Sequence, residues 1–280
     1  MLDVEIKDQQ LVDFHKQSKP HAQDARIDMA HPYILVAPNG ARRTHSDHPA
    51  LPVTLDEIVA TSAACHAVGA HGVHLHVREE DGTHSLDAGR YLETIAAIKD
   101  TAPGLDIQIT TEAAGLFDVA TQLACLKQVA PEWASISVRE IARDPSLAEQ
   151  VYGTCAAQGT RVQHILYDTD DAALLAHWQA QGIVRTGQVD RLLVLGRYAT
   201  GQISRPADLE PFLTNGTPKD PWMVCAFGPQ EHACLTRAAH LGGDLRVGFE
   251  NGLTNEHDTP WADNAASVAA LISRLKGDVA

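Results

Sequence analysis

Two histidines spaced two residues apart, His74 and His76 in the run Gly72-Val-His-Leu-His-Val-Arg78, are where residue type and spacing first suggest chemistry. On a strand, side chains alternate between faces, so both imidazoles point to one side while Val73, Leu75 and Val77 point to the other. Their Cα atoms then lie roughly 6.5 Å apart, close enough for both rings to reach one metal ion. A hydrogen-bonded pair of core histidines fits the same spacing. Glu250 closes the distant run Leu245-Arg-Val-Gly-Phe-Glu250 and adds a carboxylate wherever the fold brings the two segments together. Two histidines and one carboxylate leave coordination positions open, which suits a catalytic ion. Zinc is the default for this donor set, which also admits Fe(II), Mn(II) or Ni(II).

The elements that must position these residues follow a regular rhythm. Apolar runs recur at Tyr33 to Ala37, Gly72 to Val77, Asp106 to Thr111, Trp133 to Val138, Arg161 to Tyr167, Asp190 to Leu195, Trp222 to Ala226 and Asp244 to Phe249, which gives eight expected strands. Between them, Thr54 to Val68 opens with the capping box Thr54-x-x-Glu57, and Asp87 to Lys99 carries Leu92, Ile95 and Ile98 at helical spacing. A further amphipathic stretch, Asp263 to Lys276, follows the eighth strand. Eight strand-helix units in about 250 residues predict an α/β fold of the closed (β/α)8 type, a single-domain TIM barrel. No Gly-x-Gly-x-x-Gly follows the first strand, so a dinucleotide-binding doubly wound sheet is not expected. In a barrel the chemistry sits at the C-terminal strand ends, and closure sets strand eight beside strand one and near strand two, which carries Glu250 to the histidines. Residues 1–30 are polar and aperiodic and predict an N-terminal arm ahead of a barrel over 31–280. The connection from Gly196 to Pro221 predicts an elaborated loop after strand six.

Composition narrows the function classes. Over 280 residues, 22 Lys and Arg stand against 36 Asp and Glu, a net charge of −14 that argues against non-specific binding of nucleic acid or an anionic membrane. A hydrophobic share of 44% with 21% charged residues suits a soluble globular chain. The five cysteines form no Cys-x-x-Cys pair, so neither a disulfide framework nor a Cys-rich zinc module is expected. No signal-like leader and no apolar run approaching ~18 residues is visible, so a cytoplasmic protein with no membrane span is expected.

The segment Gly69-Ala-His-Gly-Val-His-Leu-His-Val-Arg78 with Asp81-Gly82, the string Asn39-Gly-Ala41, the run His48-Pro-Ala-Leu-Pro52 and the closing Gly242-Gly-Asp-Leu-Arg246-Val-Gly-Phe-Glu250 resemble the β-keto acid cleavage enzyme family over residues 30 to 275. The resemblance implies a zinc-dependent (β/α)8 barrel, usually a homo-oligomer and by family habit a tetramer. It implies exchange of a small β-keto acid with acetyl-CoA as co-substrate, giving acetoacetate and a new acyl-CoA. By the same resemblance His74, His76 and Glu250 are the metal ligands and Arg246 assists the reaction. Asn39 contacts substrate. The hydroxyl residues map onto Thr110 or Thr111, with Thr110 taken as catalytic, and onto Ser135 or Ser137, with Ser137 taken to bind substrate.

The chain departs from the family pattern in two places. The usual Glu-Asp ending is Glu250-Asn251 here, and an amide cannot take up a proton. Asn251 is then expected to position by hydrogen bonding, while Glu112, closing strand three where the family commonly has glycine, becomes the expected base ahead of Asp168 at the end of strand five. After strand six, a Gly-Gly turn of the family type is replaced by Leu195-Gly196-Arg-Tyr-Ala-Thr-Gly201. Gly196 there offers a backbone N–H to an anion, and Arg197 and Tyr198 either narrow the channel or bind the nucleotide. The changed turn sustains a second reading, a metal-dependent retro-aldolase or C–C hydrolase that does not use CoA. Arg42 and Arg43, at the end of strand one, favour an anionic substrate unless they pair with Asp47 and Glu79, and Glu112 pulls the other way.

Overall fold

A computed structural model of the chain describes residues 32–214 and 216–277, so the expected N-terminal arm lies outside the described residues. Among the described residues ten strands form, most of them where aliphatic residues run together: β1 (Ile34–Val36), β2 (Gly72–Leu75), β3 (Val77–Arg78), β4 (His84–Ser85), β5 (Asp106–Thr110), β6 (Trp133–Ser137), β7 (Arg161–Leu166), β8 (Asp190–Leu195), β9 (Trp222–Ala226) and β10 (Asp244–Val247). Eight of them close into a barrel in the order β1-β10-β9-β8-β7-β6-β5-β2, every pairing parallel, and β3 and β4 make a separate antiparallel hairpin. This is the expected (β/α)8 barrel.

Parallel neighbours require a crossover, and helices supply it: α1 (Leu55–Ala67), α2 (Ala88–Thr101), α3 (Val119–Val129), a single turn α4 (Val138–Ile141), α5 (Pro145–Gln158), α6 (Thr169–Ala180), α7 (Glu231–His240) and α8 (Asn264–Gly277). Thr54 caps α1 through the expected capping box: its hydroxyl accepts from Glu57 N at 3.3 Å while the Glu57 carboxylate accepts from Thr54 N at 2.9 Å. The loop between β8 and β9 folds instead into two 3₁₀ segments, Thr200–Gln202 and Pro206–Leu213, in keeping with its expected elaboration.

Side-chain alternation splits the core in two. Leu35, Ile165, Leu192, Val194, Met223 and Cys225 cluster in the barrel interior, whereas Ile34, Val36, Val73, Leu75, Val224 and Val247 pack into the larger cluster with the helices. Each fully buried Leu, Ile or Val contributes about 1.5–3 kcal/mol relative to exposure.

Three expectations change. The run Gly72 to Val77 is not one strand: β2 ends at Leu75, and the His76 carbonyl accepts from Asn39 Nδ2 at 3.2 Å instead of from a neighbouring strand. Val138 does not close β6 but opens α4. On α2 the inward face is Tyr91, Thr94 and Ile98, while Leu92 is 49% exposed. Positions 91, 94 and 98 share a helical face as well as 92, 95 and 98 do, and the large Tyr91 ring wins burial with its hydroxyl donating to Thr110 O at 2.9 Å.

Candidate active site

At the C-terminal mouth, β2 and the turn after β10 bring His74, His76 and Glu250 together. His74 Nε2 and His76 Nε2 are 3.1 Å apart, and Glu250 Oε2 lies 3.7 Å from the first and 3.5 Å from the second. Ligand atoms at about 2.0–2.1 Å from a tetrahedral ion stand about 3.3–3.4 Å from one another, so this triangle has the dimensions of one face of such a site. Among the described residues these three form a group able to hold a metal ion. A bare histidine pair would leave Glu250 Oε2 buried without a hydrogen bond, as it stands here, whereas a cation would satisfy all three atoms.

Protonation states agree with that role. Burial drives the His74 imidazole well below its ordinary value, with the Arg246 guanidinium acting in the same direction. Burial works against a charged Glu250, yet Arg246, His76 and His74 outweigh it and hold the carboxyl well below the usual range. Neutral imidazole and ionised carboxylate are the forms that ligate.

A buried polar chain fixes which nitrogen of His74 is free. Gln163 Nε2 lies 3.7 Å from Met223 Sδ, a sulfur that can only accept, so Gln163 turns its oxygen to Gln108 Nε2 at 3.0 Å. Gln108 must then present its own oxygen to His74 Nδ1 at 2.7 Å, so Nδ1 carries the proton and Nε2 the lone pair. Gln108, Gln163 and Met223 come from the third, fifth and seventh barrel strands, the alternation that builds interior layers of this fold. Sequence reading missed both glutamines. The signal was a polar residue at an inward position of each strand.

Glu250 is seated by the turn after β1. Gly40 has φ +63°, and a Cβ there would lie 2.6 Å from Glu250 Cγ, so only glycine lets the carboxylate side chain pass. Arg78 fastens this turn, donating to the carbonyls of Gly40 and Arg43. Asn39 is fully buried and its Nδ2 donates to Pro52 O at 3.0 Å as well as to His76 O. That arrangement ties three segments together around the histidines.

His74 and Glu250 of the triad line a cavity whose wall also includes Thr110, Ser137 and Arg246. Arg246 donates to Glu250 Oε1 at 3.2 Å. The Thr110 hydroxyl accepts from Glu112 N at 3.0 Å, and Ser137 Oγ is buried with no hydrogen-bond partner among the described residues. Thr111 does not share the cavity wall; its hydroxyl donates to Ser135 O at 3.2 Å. Asn251 is fully buried outside that wall, its side-chain amide unpartnered among the described residues. Gly196, at φ +78°, is held against the backbone of Ile203 and lines an adjoining outer groove.

Two carboxylates besides Glu250 face the cavity. Glu112 pairs with Arg42 at 2.6 Å, so Arg42 meets neither Asp47 nor Glu79; Glu79 pairs with Arg90, and Asp47 accepts from Thr44 N. Arg43 donates to Phe249 O. The second carboxylate, Glu140 on α4, accepts from Ala113 N and Gln122 Nε2, each at 2.9 Å, and burial raises its proton affinity. It escaped notice because it lies two residues past the expected strand Trp133 to Val138, on a helical turn that the sequence did not predict. Asp168, offered as an alternative base, instead caps α6: it accepts from Asp170 N and Asp171 N at 3.1 and 3.0 Å and pairs with Arg139 at 2.5 Å. Burial raises its pKa, but those bonds prevail and hold it below the usual range, which makes it a poor proton acceptor.

Comparison with known proteins agrees with this geometry. The chain is 26% identical over 257 residues to the 3-oxoadipate:acetyl-CoA acetyltransferase of Cupriavidus necator, covering 87% of this chain and 88% of that protein. It is 28% identical over 230 residues to the 3-keto-5-aminohexanoate cleavage enzyme of Fusobacterium nucleatum, covering 79% of this chain and 82% of that one. Among solved structures, the ternary complex of ObcA with a C4-CoA adduct and oxalate superposes with a TM-score of 0.64 at 20% identity, covering 82% of this chain. That likeness shows the fold, and this chain spans 65% of the length of ObcA. The model of the beta-keto acid cleavage enzyme family matches residues 32–277, from the first barrel strand to the last helix and across every segment that builds the triad. With the barrel, the seat of Glu250 and the matched sequence in agreement, the chain belongs to the β-keto acid cleavage enzyme family.

Proposed function

We propose that this protein exchanges the acyl part of a β-keto acid with acetyl-CoA. A substrate R–CO–CH2–COO⁻ and CH3–CO–SCoA become CH3–CO–CH2–COO⁻ and R–CO–SCoA, so no redox partner or water is consumed. The observation that carries this reading is the triangle of His74 Nε2, His76 Nε2 and Glu250 Oε2, of which His74 and Glu250 line a cavity together with Arg246, Thr110 and Ser137. A divalent ion held there, for which zinc is the best match, would supply Lewis-acid polarisation of the keto and carboxylate oxygens.

The protein's own groups do the remaining work. Arg246, bonded to Glu250 Oε1, holds that carboxylate in register and keeps positive charge beside the negative charge that develops during carbon–carbon bond exchange. Ser137 Oγ, buried without a partner, is available to hydrogen-bond a substrate oxygen, and Thr110 orients the backbone that carries Glu112. Proton transfer falls to a cavity carboxylate, with Glu112 taken first and Glu140 as its competitor; Asn251, its amide unpartnered among the described residues, lacks the positioning bond expected of it. Gly196 lines the outer groove, the route proposed for the CoA thioester. We take the protein as a homo-oligomer, as its family resemblance implies, and as cytoplasmic; no helix among the described residues is long and apolar enough to cross a membrane.

The two relatives are named for β-keto acids with an anionic and with a cationic tail, so membership of the family leaves tail chemistry to local residues. The test is incubation of metal-loaded enzyme with acetyl-CoA and a panel of β-keto acids, reading acetoacetate and new acyl-CoA by mass spectrometry. Equimolar formation of both is expected. Substrate cleavage that proceeds without acetyl-CoA would instead establish the retro-aldolase or hydrolase reading.

A further inference from the structure

We propose that Arg197 is the residue that reads the far end of the substrate, and that it selects a β-keto acid whose tail ends in a carboxylate. This rests on the cleavage reading above, which places the β-keto carboxylate at the triad.

Arg197 follows β8, the sixth barrel strand, and the histidines belong to the second. Three strands lie between them whichever way the closed barrel is counted, so Arg197 faces the triad from across the mouth. Its side chain lines the same cavity as His74, Arg246 and Glu250. Gly196, in its left-handed conformation packed on Ile203, turns the chain at this point.

The Arg197 guanidinium is largely buried, at 18% exposure, yet among the described residues it donates no hydrogen bond. Its nearest carboxylate, Glu112, stands at 3.7 Å, beyond hydrogen-bond range, and that carboxylate is already engaged by Arg42 at 2.6 Å. Glu112 is thus shared between two guanidiniums, one bonded to it and one not, while the carboxylate of Glu140 is held by Ala113 N and Gln122 Nε2. The face of the Phe227 ring lies 5.2 Å from the Arg197 carbon, an apolar platform that lowers the local dielectric and holds the planar group. A desolvated guanidinium with unmet donors is a costly arrangement that a bidentate anionic ligand relieves. The sequence suggested Arg42 for this role; its bond to Glu112 removes it and leaves the donors of Arg197 unmet among the described residues.

Arg197 also borders the outer groove, beside Arg139 and Tyr198, so a phosphate of CoA is a second source of the same anionic chemistry. Steady-state kinetics distinguishes the two. Wild type, Arg197→Met and Arg197→Lys, each checked by circular dichroism and metal content, are assayed with 3-oxoadipate, 3-oxohexanoate and 5-amino-3-oxohexanoate at varied acetyl-CoA. The expected result is a wild-type preference for the anionic tail and a ten- to hundredfold fall in the anionic-to-neutral ratio of kcat/KM in Arg197→Met, smaller in Arg197→Lys, with the KM for acetyl-CoA within threefold of wild type. An unchanged ratio overturns the proposal, as does a raised KM for acetyl-CoA with the ratio intact. Calorimetric binding of glutarate and butyrate provides an arm independent of turnover. Glutarate binding that weakens at least tenfold in Arg197→Met, in an enzyme that turns over none of the three acids, leaves the anion site standing and removes the cleavage reading. Turnover with equal glutarate binding in both proteins does the reverse.

Discussion

At the scale of single residues, His74, His76 and Glu250 each supply one of three donor atoms converging within 4.8 Å of one another. Replacing any one with alanine leaves two donors, and metal content measured by plasma mass spectrometry is expected to fall from near one per chain to near zero. Full retention in all three variants would defeat the assignment. Gln108 touches no metal but fixes the tautomer of His74, so Gln108→Leu is expected to weaken metal binding about ten- to hundredfold in a chelator-competition titration of the folded protein. The two cavity carboxylates are separated by their pH profiles. Loss of the general base lowers the rate by about 10²- to 10⁴-fold. Should Glu140 be that base, kcat rises with pH through its burial-raised pKa, and Glu140→Gln abolishes this limb. Near-normal kcat in Glu112→Gln with metal intact would transfer the role to Glu140.

At the scale of elements, α2 and β5 show how a helix outside the barrel governs a residue at its mouth. Tyr91, fully buried on α2, donates to Thr110 O, and the Thr110 hydroxyl in turn receives Glu112 N. Tyr91→Phe keeps the ring and orphans that carbonyl, so urea denaturation is expected to show a loss of about 1–2 kcal/mol. An unchanged midpoint would mean that Thr110 O finds another partner. The exposed Leu92 beside it is expected to tolerate Leu92→Lys with a change within about 0.5 kcal/mol, because little apolar contact is lost.

At the scale of the whole molecule, stability should fall in acid. Burial pushes the His164 imidazole down to about 4, and burial with Arg274 does the same for His232. His164 lies on β7 with Nε2 3.0 Å from Gln188 O, and His232 lies in the first turn of α7 with Nε2 3.0 Å from Ser267 Oγ; neither lines the cavity at the triad. The unfolded chain binds protons on these groups near 6.5 and the folded chain does not, so their contribution is complete above pH 6.5 and is lost as pH falls toward 4. At 1.36 kcal/mol per unit the loss is about 3 kcal/mol for His164. His164→Gln, which retains a donor for Gln188 O, is expected to flatten the decline of Tm between pH 6.5 and 4 relative to wild type; parallel curves would refute the linkage.

Much of this protein was legible before folding was considered. Short apolar runs located all eight barrel strands, Thr54 and Glu57 marked the start of α1, and the two motifs at His74–His76 and Arg246–Glu250 named the triad, because these signals are local in sequence. What the tertiary structure alone decided depends on pairs far apart in the chain. Arg42 and Glu112, 70 residues apart, meet only because β1 and β5 flank β2 in the closed barrel, and that meeting withdraws one arginine from the substrate and leaves another. The tautomer of His74 depends on Gln163 and Met223, 60 residues apart, touching inside the lumen. The choice of Tyr91 over Leu92 for burial, two helical faces of similar apolar spacing, was settled by which could reach a carbonyl on β5. Composition and periodicity specify elements; which charges cancel, and which stay free to bind, is decided by barrel closure.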